Sequence, residues 1–201
     1  MGILHGFDTE FSIQGYRFIA GIDEAGRGPL AGPVVASAVI LPPDISIDGV
    51  DDSKKLSSEK REILFKIIKE KALSVGIGII SSKVIDEINI LEATREAMLN
   101  AVENLKITPD LIIIDGITPI KSSIKQLTIK KGDSLSQSIA AASIIAKVTR
   151  YRLMLDYDAK YPTYLFAKHK GYGTAEHLER IKEFGPCEIH RNSFKGVKEY
   201  I

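Results

Sequence analysis

The chain has 201 residues and a formal net charge of +1, with 44% hydrophobic and 26% charged residues. This composition excludes an intrinsically disordered chain and fits one globular domain with a full hydrophobic core. The N-terminus does not resemble a signal peptide, and no apolar run approaches the ~20 residues that span a bilayer. Because Cys187 is the single cysteine, no disulfide can form within the chain, and a cytoplasmic location is expected.

Predicted strands and helices alternate along the chain, which indicates an α/β fold of about five strands. "DLIIIDG" is a short apolar run bounded by turn residues, which is typical of a central strand buried on both faces. A helix rich in small residues is predicted from about Leu135. The other predicted strands are "YRFIAGIDE", "PVVASAVIL", "LSVGIGIISS" and "KQLTIKKGD". The other predicted helices are "SSEKREILFKIIKEKAL", the stretch from Val84 to Leu105, and "AEHLERIKEFG".

Four acidic residues lie where predicted strands end. Asp23 and Glu24 close the first strand, Asp115 closes "LIIID", and Asp133 follows the fifth strand. Because ligands of open α/β sheets gather at the carboxyl ends of parallel strands, these acids are expected to converge. Carboxylates without Cys or His suit Mg²⁺ or Mn²⁺, and such a site can hold two ions about 3.5–4 Å apart.

Each acid also has a simpler explanation when it is considered alone. Asp133 can cap the helix that follows it, Asp115 can belong to an ordinary turn, and Asp23 can pair with Arg27. The occurrence of four acids at strand ends favours a shared metal site over these separate explanations.

Two further functions are open from the residues alone. "GRGPLA" fits the G-x-G-x-x-A form of a dinucleotide-binding motif, which would indicate an oxidoreductase, but a strand instead of a helix is predicted after it. Residues 1–120 are acidic overall and residues 121–201 are basic, which fits a polyanionic partner, although the asymmetry alone slightly favours a solvated surface of mixed charge. A nucleic-acid-binding module without catalytic activity is therefore the other alternative.

The histidines show no spacing typical of paired metal ligands, and there is no G-x-x-x-x-G-K-[ST] loop. They are therefore expected at the surface or in contact with phosphate: His5, His169, His177 and His190.

Six stretches from about residue 17 to residue 194 together resemble the motifs of bacterial ribonuclease H type 2 (ribonuclease HII). They are "GIDEAGRGPLAGPVVASAVIL", "DSKKLS", "LIIIDG", "KKGDSLSQSIAAASIIAKVTR", "HKGYGT" and "GPCEIHRNSF". The resemblance implies a ribonuclease H-like fold with a five-stranded mixed sheet flanked by helices. Residues 1–160 would form the catalytic domain, and residues 161–201 a C-terminal helical extension packed on it.

The resemblance also implies the activity and its cofactor. The expected enzyme is a metal-dependent endoribonuclease that hydrolyses the phosphodiester 5′ of a ribonucleotide, leaving 3′-hydroxyl and 5′-phosphate ends. Its substrates would be RNA–DNA hybrids and duplex DNA with embedded ribonucleotides, and Mn²⁺ or Mg²⁺ would be the cofactor, with two ions in the substrate complex. The family's metal-binding acids fall on Asp23, Glu24, Asp115 and Asp133.

The resemblance places substrate contacts as well. Gly26, Arg27 and Gly28 would surround the ribose 2′-hydroxyl, and Tyr172 would pack against the sugar, although a tyrosine in a loop is more often partly buried packing. Four residues are expected to contact phosphate, with solvated surface charge as the alternative: Lys54, Lys55, His190 and Arg191.

The sequence departs from the family pattern at Tyr151, where members usually have aspartate after "AKVTR". The segment after Phe194 shows no clamp-binding peptide motif, so recruitment by a sliding clamp through this tail is not expected. The expected protein is a monomer without an obligate protein partner and without membrane contact.

Overall fold

A computed structural model describes residues 3–50 and 56–201 of the chain. The strands are β1 (Ile19–Ala25), β2 (Val34–Ile40), β3 (Ser74–Ile80), β4 (Leu111–Asp115) and β5 (Gln126–Ile129). The helices are α1 (Ile3–Ile13), α2 (Ser58–Lys71), α3 (Ser82–Glu103), α4 (Gln137–Lys160), α5 (Phe166–His169) and α6 (Ala175–Phe184). Short 3-10 turns cover Gly132–Ser134, Pro162–Tyr164 and Lys198–Tyr200.

The strands form one sheet in the order β3-β2-β1-β4-β5. β1 pairs antiparallel with β2 and parallel with β4, and β4 pairs parallel with β5. The predicted α/β fold with a five-stranded mixed sheet flanked by helices is therefore confirmed. Because β1, β4 and β5 are parallel, their carboxyl ends meet at one edge of the sheet and bring together the residues that follow them.

Helices cover both faces of the sheet, and β4 is buried between them. Ile112 and Ile114 belong to the apolar cluster that contains α3, whereas Leu111 and Ile113 pack with Ile139 of α4. Alternate residues of β4 thus enter different clusters, as expected for a strand buried on both faces. The prediction of a central strand in "DLIIIDG" is confirmed.

α4 lies very close to β1 and β2 near the acidic edge. A Cβ atom at Gly21 would overlap the backbone of Ser138 and Ile139, so only glycine fits there. On β2, the Ser37 hydroxyl donates a hydrogen bond to the carbonyl of Ala142 at 2.7 Å. Small side chains therefore let the first half of α4 lie directly on the strands that lead to the acids.

The "GRGPLA" sequence leads into β2, a strand, and not into a helix. A dinucleotide-binding motif needs a helix N-terminus directly after its glycines to bind the pyrophosphate. The structure therefore contradicts the oxidoreductase alternative.

Two helices in the structure were absent from the sequence prediction. α1 contains Gly6 in its middle, which weakens a helical pattern, and it is held by tertiary contacts instead. Its Asp8 carboxylate accepts a hydrogen bond from Ser138 N–H at 2.8 Å, and Phe11 packs against Ile19 and Leu111. The other is the four-residue α5, which shares only His169 with the motif "HKGYGT".

The chain after α4 packs back onto the loop between β1 and β2. Gly32 N–H donates to the carbonyl of Ile189 at 2.8 Å, and Arg191 N–H donates to the carbonyl of Leu30 at 2.8 Å.

The division into a catalytic domain of residues 1–160 and an extension of residues 161–201 stays a prediction. None of the described helices has the length and apolarity that crossing a bilayer requires.

Candidate active site

Three acids converge at the edge where β1, β4 and β5 end. One carboxylate oxygen from each of Asp23, Asp115 and Asp133 lies within 4.8 Å of the others, the one such group found among residues 3–50 and 56–201. The pairing of β1 with β4 accounts for two of them, since Ile22 faces Ile114 and the next residues are the two aspartates. The side chains of Asp23 and Asp133 are buried.

Asp133 reaches the group through a 3-10 turn that is tied to β4. Gly132 N–H donates to Oδ1 of Asp115 at 2.7 Å, which brings the turn onto the strand end. The helix α4 begins later, and its N-cap is Ser136, whose hydroxyl accepts from Ile139 N–H at 3.2 Å. The alternative that Asp133 caps this helix is therefore wrong.

Glu24 lies beside the three aspartates but outside the group within 4.8 Å. Its Oε1 accepts a hydrogen bond from Nη1 of Arg27 at 3.3 Å, so Arg27 pairs with Glu24 and the alternative of an Asp23–Arg27 pair is wrong. Burial raises the pKa of Glu24, the charge and hydrogen bond of Arg27 lower it in part, and the charge of Asp115 raises it further.

Burial raises the pKa of Asp23 well above its usual range, and the charges of Glu24 and Asp115 raise it further. A hydrogen bond from Ser143 lowers this pKa, but by less than burial raises it. Negative charge at this edge is therefore unfavourable without a cation. Oxygen-only ligands, close spacing and burial together fit a hard divalent ion such as Mg²⁺ or Mn²⁺.

A cleft of about 220 Å³ opens beside the acids. Tyr172 lies across it from Gly28, since a Cβ atom at Gly28 would lie 3.8 Å from Cε1 of the tyrosine. The Tyr172 side chain is 45% exposed, and its ring centroid lies 5.9 Å from the guanidinium carbon of Arg150. The cleft is lined by Asp23, Glu24, Ala25, Gly26, Arg27, Gly28, Asp115, Lys147, Arg150, Tyr151 and Tyr172.

Two buried arginines lie against the glycine–arginine–glycine turn, and Arg191 binds its backbone directly. Gly26 has a φ of +98°, which favours glycine. Arg191 donates to the carbonyls of Gly26, Arg27 and Gly32 at 2.5–3.1 Å. Arg150 donates to the carbonyls of Ala31, Pro33 and Lys170 at 2.9–3.1 Å.

The structure does not place His190 and Arg191 where phosphate contacts were expected. Arg191 is 0% exposed and His190 is 2% exposed, so neither side chain reaches the surface in this conformation. Their polar groups bind backbone and another histidine instead. Lys54 and Lys55, the other two predicted phosphate contacts, lie outside the described residues.

The prediction that the histidines lie at the surface or against phosphate is wrong for three of them. His169, His177 and His190 are buried next to one another, because the chain after α4 folds back on itself. The side chain of His5 lies outside the described part of the chain. Sequence spacing did not reveal this cluster, since its members come from α5, α6 and the segment after α6.

The lining of the cleft also includes residues of α4 that sequence reasoning did not place in the site, among them Lys147 and Tyr151. Lys147 lies one helical turn after Ser143, with its Nζ 3.4 Å from the serine Oγ. Tyr151 follows Lys147 by a further turn, and the guanidinium carbon of Arg61 lies 5.3 Å from its ring centroid. The i, i+4 spacing from Ser143 would identify both residues once α4 is known to face the acids.

A family model described as ribonuclease HII matches residues 20–197. The chain belongs to the ribonuclease HII family. A ribonuclease HII from Geotalea daltonii is 59% identical over 195 residues, which cover 97% of this chain and 90% of that protein. Members of the family are metal-dependent endonucleases that cleave RNA in RNA–DNA hybrids and ribonucleotides in duplex DNA.

Solved structures support the same family and fold. The ribonuclease H2 from Pyrococcus horikoshii OT3 matches with a TM-score of 0.76 and 29% identity, covering 91% of this chain and 96% of that one. Bst-RNase HIII, solved in complex with Mn²⁺, matches with a TM-score of 0.68 and 20% identity, covering 91% and 68% of the two chains. At this identity the second likeness concerns the fold alone.

Proposed function

We propose that this ribonuclease HII family member hydrolyses the phosphodiester on the 5′ side of a ribonucleotide and leaves 3′-hydroxyl and 5′-phosphate ends. Its substrates are RNA–DNA hybrids and duplex DNA with embedded ribonucleotides. One observation carries the proposal: Asp23, Asp115 and Asp133 converge beside a cleft that Gly28 and Tyr172 also line. A cation site and a surface for a sugar thus lie within one cleft.

We propose Asp23, Glu24, Asp115 and Asp133 as the metal-binding and catalytic acids, with Mn²⁺ or Mg²⁺ as the ion and two ions in the substrate complex. When bound, such ions activate a water molecule and stabilise the leaving oxygen. The raised pKa of Asp23 supports this role, because a carboxylate that burial disfavours gains most from a cation.

Gly26, Arg27 and Gly28 are proposed to contact the ribose. The 2′-hydroxyl both donates and accepts hydrogen bonds, and it is the group that distinguishes RNA from DNA at the cleavage site. Gly28 has no side chain to cover its backbone beside the Tyr172 ring, so this backbone is open to a sugar that enters the cleft. Tyr172 would then pack on the sugar from the opposite side.

The finer assignments about phosphate, domains and partners remain part of the proposal. Lys54 and Lys55 are proposed to contact phosphate, and residues 161–201 to form an extension on the catalytic domain of residues 1–160. A cytoplasmic monomer without an obligate protein partner is proposed, in keeping with the free Cys187.

The test compares a labelled duplex that contains one ribonucleotide with its all-DNA counterpart, with and without Mn²⁺ or Mg²⁺. We expect cleavage of the first duplex alone, 5′ of the ribonucleotide, and only with metal. Metal-independent binding to both duplexes without cleavage would instead favour the alternative of a non-catalytic nucleic-acid-binding module.

A further inference from the structure

A chain of hydrogen bonds links the segment after α6 to the backbone of Tyr172. Nε2 of His190 lies 3.0 Å from Nε2 of His177, and Nδ1 of His177 lies 2.9 Å from the carbonyl oxygen of Tyr172. His177 is 0% exposed. Of the residues joined by these hydrogen bonds, only Tyr172 lines the cleft.

The protons of this chain are fixed by a backbone donor at its far end. Cys187 N–H donates to Nδ1 of His190 at 2.9 Å, so the proton of neutral His190 lies on Nε2. That Nε2–H donates to Nε2 of His177, and the proton of His177 therefore lies on Nδ1 and is donated to Tyr172. The Cys187 carbonyl is farther from Nδ1, at 3.3 Å, and already accepts from His190 N–H at 2.9 Å.

The backbone of Tyr172 is held from three directions. Its carbonyl accepts from His177 and also from Thr174 N–H at 2.8 Å, and its own N–H donates to the carbonyl of His169 at 2.9 Å. Without the His177 bond, one of the two bonds to this carbonyl is lost and the turn can rotate. The ring of Tyr172, which lies on Gly28, would then lose its fixed position across the cleft.

The residue next to His190 holds the opposite wall. Arg191 donates to the carbonyls of Gly26, Arg27 and Gly32, and this turn carries the backbone that faces Tyr172. Arg191 N–H also donates to the carbonyl of Leu30, which fixes His190 and Arg191 on the loop between β1 and β2. Two adjacent buried residues therefore reach both walls of the cleft.

We propose that His190 and Arg191 are positioning residues that set the spacing between the Gly26–Gly28 turn and Tyr172, Arg191 directly and His190 through His177. The inference rests on the proposed function, since it assigns a role within ribonucleotide recognition. Both residues were expected to contact phosphate. In this proposal they instead hold the Gly26–Gly28 turn and Tyr172 in position.

The neutral state that this chain requires is consistent with the surroundings of the rings. Burial lowers the pKa of His177 to about 4 and that of His190 to about 4. His169, stacked on His177 with a centroid distance of 4.3 Å, lowers the pKa of both further.

A double-mutant cycle tests the route through Tyr172. His177→Phe keeps an aromatic ring but removes both hydrogen bonds, and we expect turnover on a single-ribonucleotide duplex to fall about tenfold, with binding of all-DNA duplex unchanged. In the double variant with Tyr172→Ala, His177→Phe should cause no further loss of turnover, because both changes remove the positioned Tyr172 ring from the cleft. In Arg191→Lys, the lysine cannot donate to three carbonyls at once. We expect its loss of turnover to multiply with the loss caused by Tyr172→Ala.

A matched control separates positioning from loss of stability. Phe166 packs against His177 and His190 with centroid distances of 5.5 and 5.7 Å but makes no bond of this chain. Phe166→Leu should lower the melting temperature and leave turnover near that of the unmodified protein. His177→Asn retains an amide donor near the position of Nδ1 and should recover part of the turnover. Equal losses for Phe166→Leu and His177→Phe, or multiplied losses for His177→Phe with Tyr172→Ala, would overturn the proposal.

Nitrogen-15 NMR tests the chain independently of cleavage. We expect the Nε2–H tautomer for His190 and the Nδ1–H tautomer for His177 at pH 7, and a shift of the Tyr172 ring signals in His177→Phe. An unchanged Tyr172 ring or the opposite tautomers would refute the positioning role even in an active enzyme. The expected tautomers and ring shift in a protein that cleaves no ribonucleotide would support the positioning of Tyr172 and reject the proposed function instead.

Discussion

Gly132 N–H donates to Oδ1 of Asp115 at 2.7 Å, and this bond joins the turn that carries Asp133 to the end of β4. One carboxylate oxygen of Asp115 is thereby oriented by the backbone before any cation binds. An asparagine at this position keeps an oxygen for Gly132 but loses the charge, so it separates the local geometry from the electrostatics of the site.

Asp115→Asn should reduce metal-dependent cleavage at least about 100-fold. Loss of a residue that only hydrogen-bonds to a metal ligand typically lowers activity about 10–100-fold, and loss of a direct ligand should lower it more. The same change should raise the melting temperature of the metal-free protein, since the charge of Asp115 raises the pKa of Asp23 and Glu24. Activity assays and thermal unfolding with a chelator measure the two effects. Asp156→Asn, at an exposed position of α4, is the control and should change neither. Normal activity in Asp115→Asn would show that the proposed site is wrong.

Gly28→Ala should lower cleavage without lowering stability, whereas Gly26→Ala should lower the stability of the fold. A Cβ atom at Gly28 meets only the Tyr172 ring at an ordinary 3.8 Å, so the fold should be unchanged while a methyl group covers the backbone proposed to contact the ribose. At Gly26 the φ of +98° and contacts with Arg150 and the Pro33 carbonyl make alanine strained, at a cost of about 1–3 kcal/mol. Denaturant unfolding and cleavage rates check the pair. A Gly28→Ala protein with full turnover would argue against this route for the ribose.

Tyr172→Ala should lower cleavage at a single ribonucleotide at least tenfold, equivalent to ~1.4 kcal/mol of transition-state stabilisation. Binding to the duplex should weaken far less, because phosphate contacts dominate it. Rates and affinities are compared at one fixed salt concentration. Tyr200→Ala is a matched control, since Tyr200 is 43% exposed against 45% for Tyr172 and does not line the cleft. If Tyr172→Ala cleaved as fast as the unmodified protein, Tyr172 would be loop packing only.

Acidification should destabilise the fold through His177 and His190. Their folded-state pKa of about 4 lies below the unfolded value of 6.5, so the unfolded chain binds more protons between these values. Their contribution to stability is complete above pH 6.5 and falls as the pH decreases toward 4, by about 1.4 kcal/mol per pH unit for each ring. The raised pKa of Asp23 and Glu24 acts in the opposite direction, because their ionisation destabilises the metal-free fold as the pH rises. The comparison therefore uses unfolding curves of the unmodified protein and His177→Phe, whose stability should depend less on pH. Identical pH slopes would contradict the burial of a neutral His177.

The strands and the acids were predictable because their signals are local. Apolar runs ended by Gly or Pro located β1, β2 and β4, and the acids follow directly on such runs. The start of α4 was less predictable, since Asp133 and Ser136 are both good N-caps and only the turn at Gly132 decides between them.

The buried histidines and arginines were not predictable from local patterns. Lys, Arg and His are usually exposed, and Arg191 is buried only because backbone carbonyls from the distant residues 26–32 accept all its hydrogen bonds. The chain from Cys187 through His190 and His177 likewise depends on three segments that meet only in the folded protein.

The bond from Arg191 to the carbonyl of Gly26 joins residues 165 positions apart, whereas the three aspartates all lie within the first 133 residues. During synthesis on the ribosome, the acidic group therefore leaves the exit tunnel well before the arginine that supports the turn. A chain that ended before Arg191 would therefore keep the three aspartates but lack the side chain that holds the turn proposed to contact the ribose.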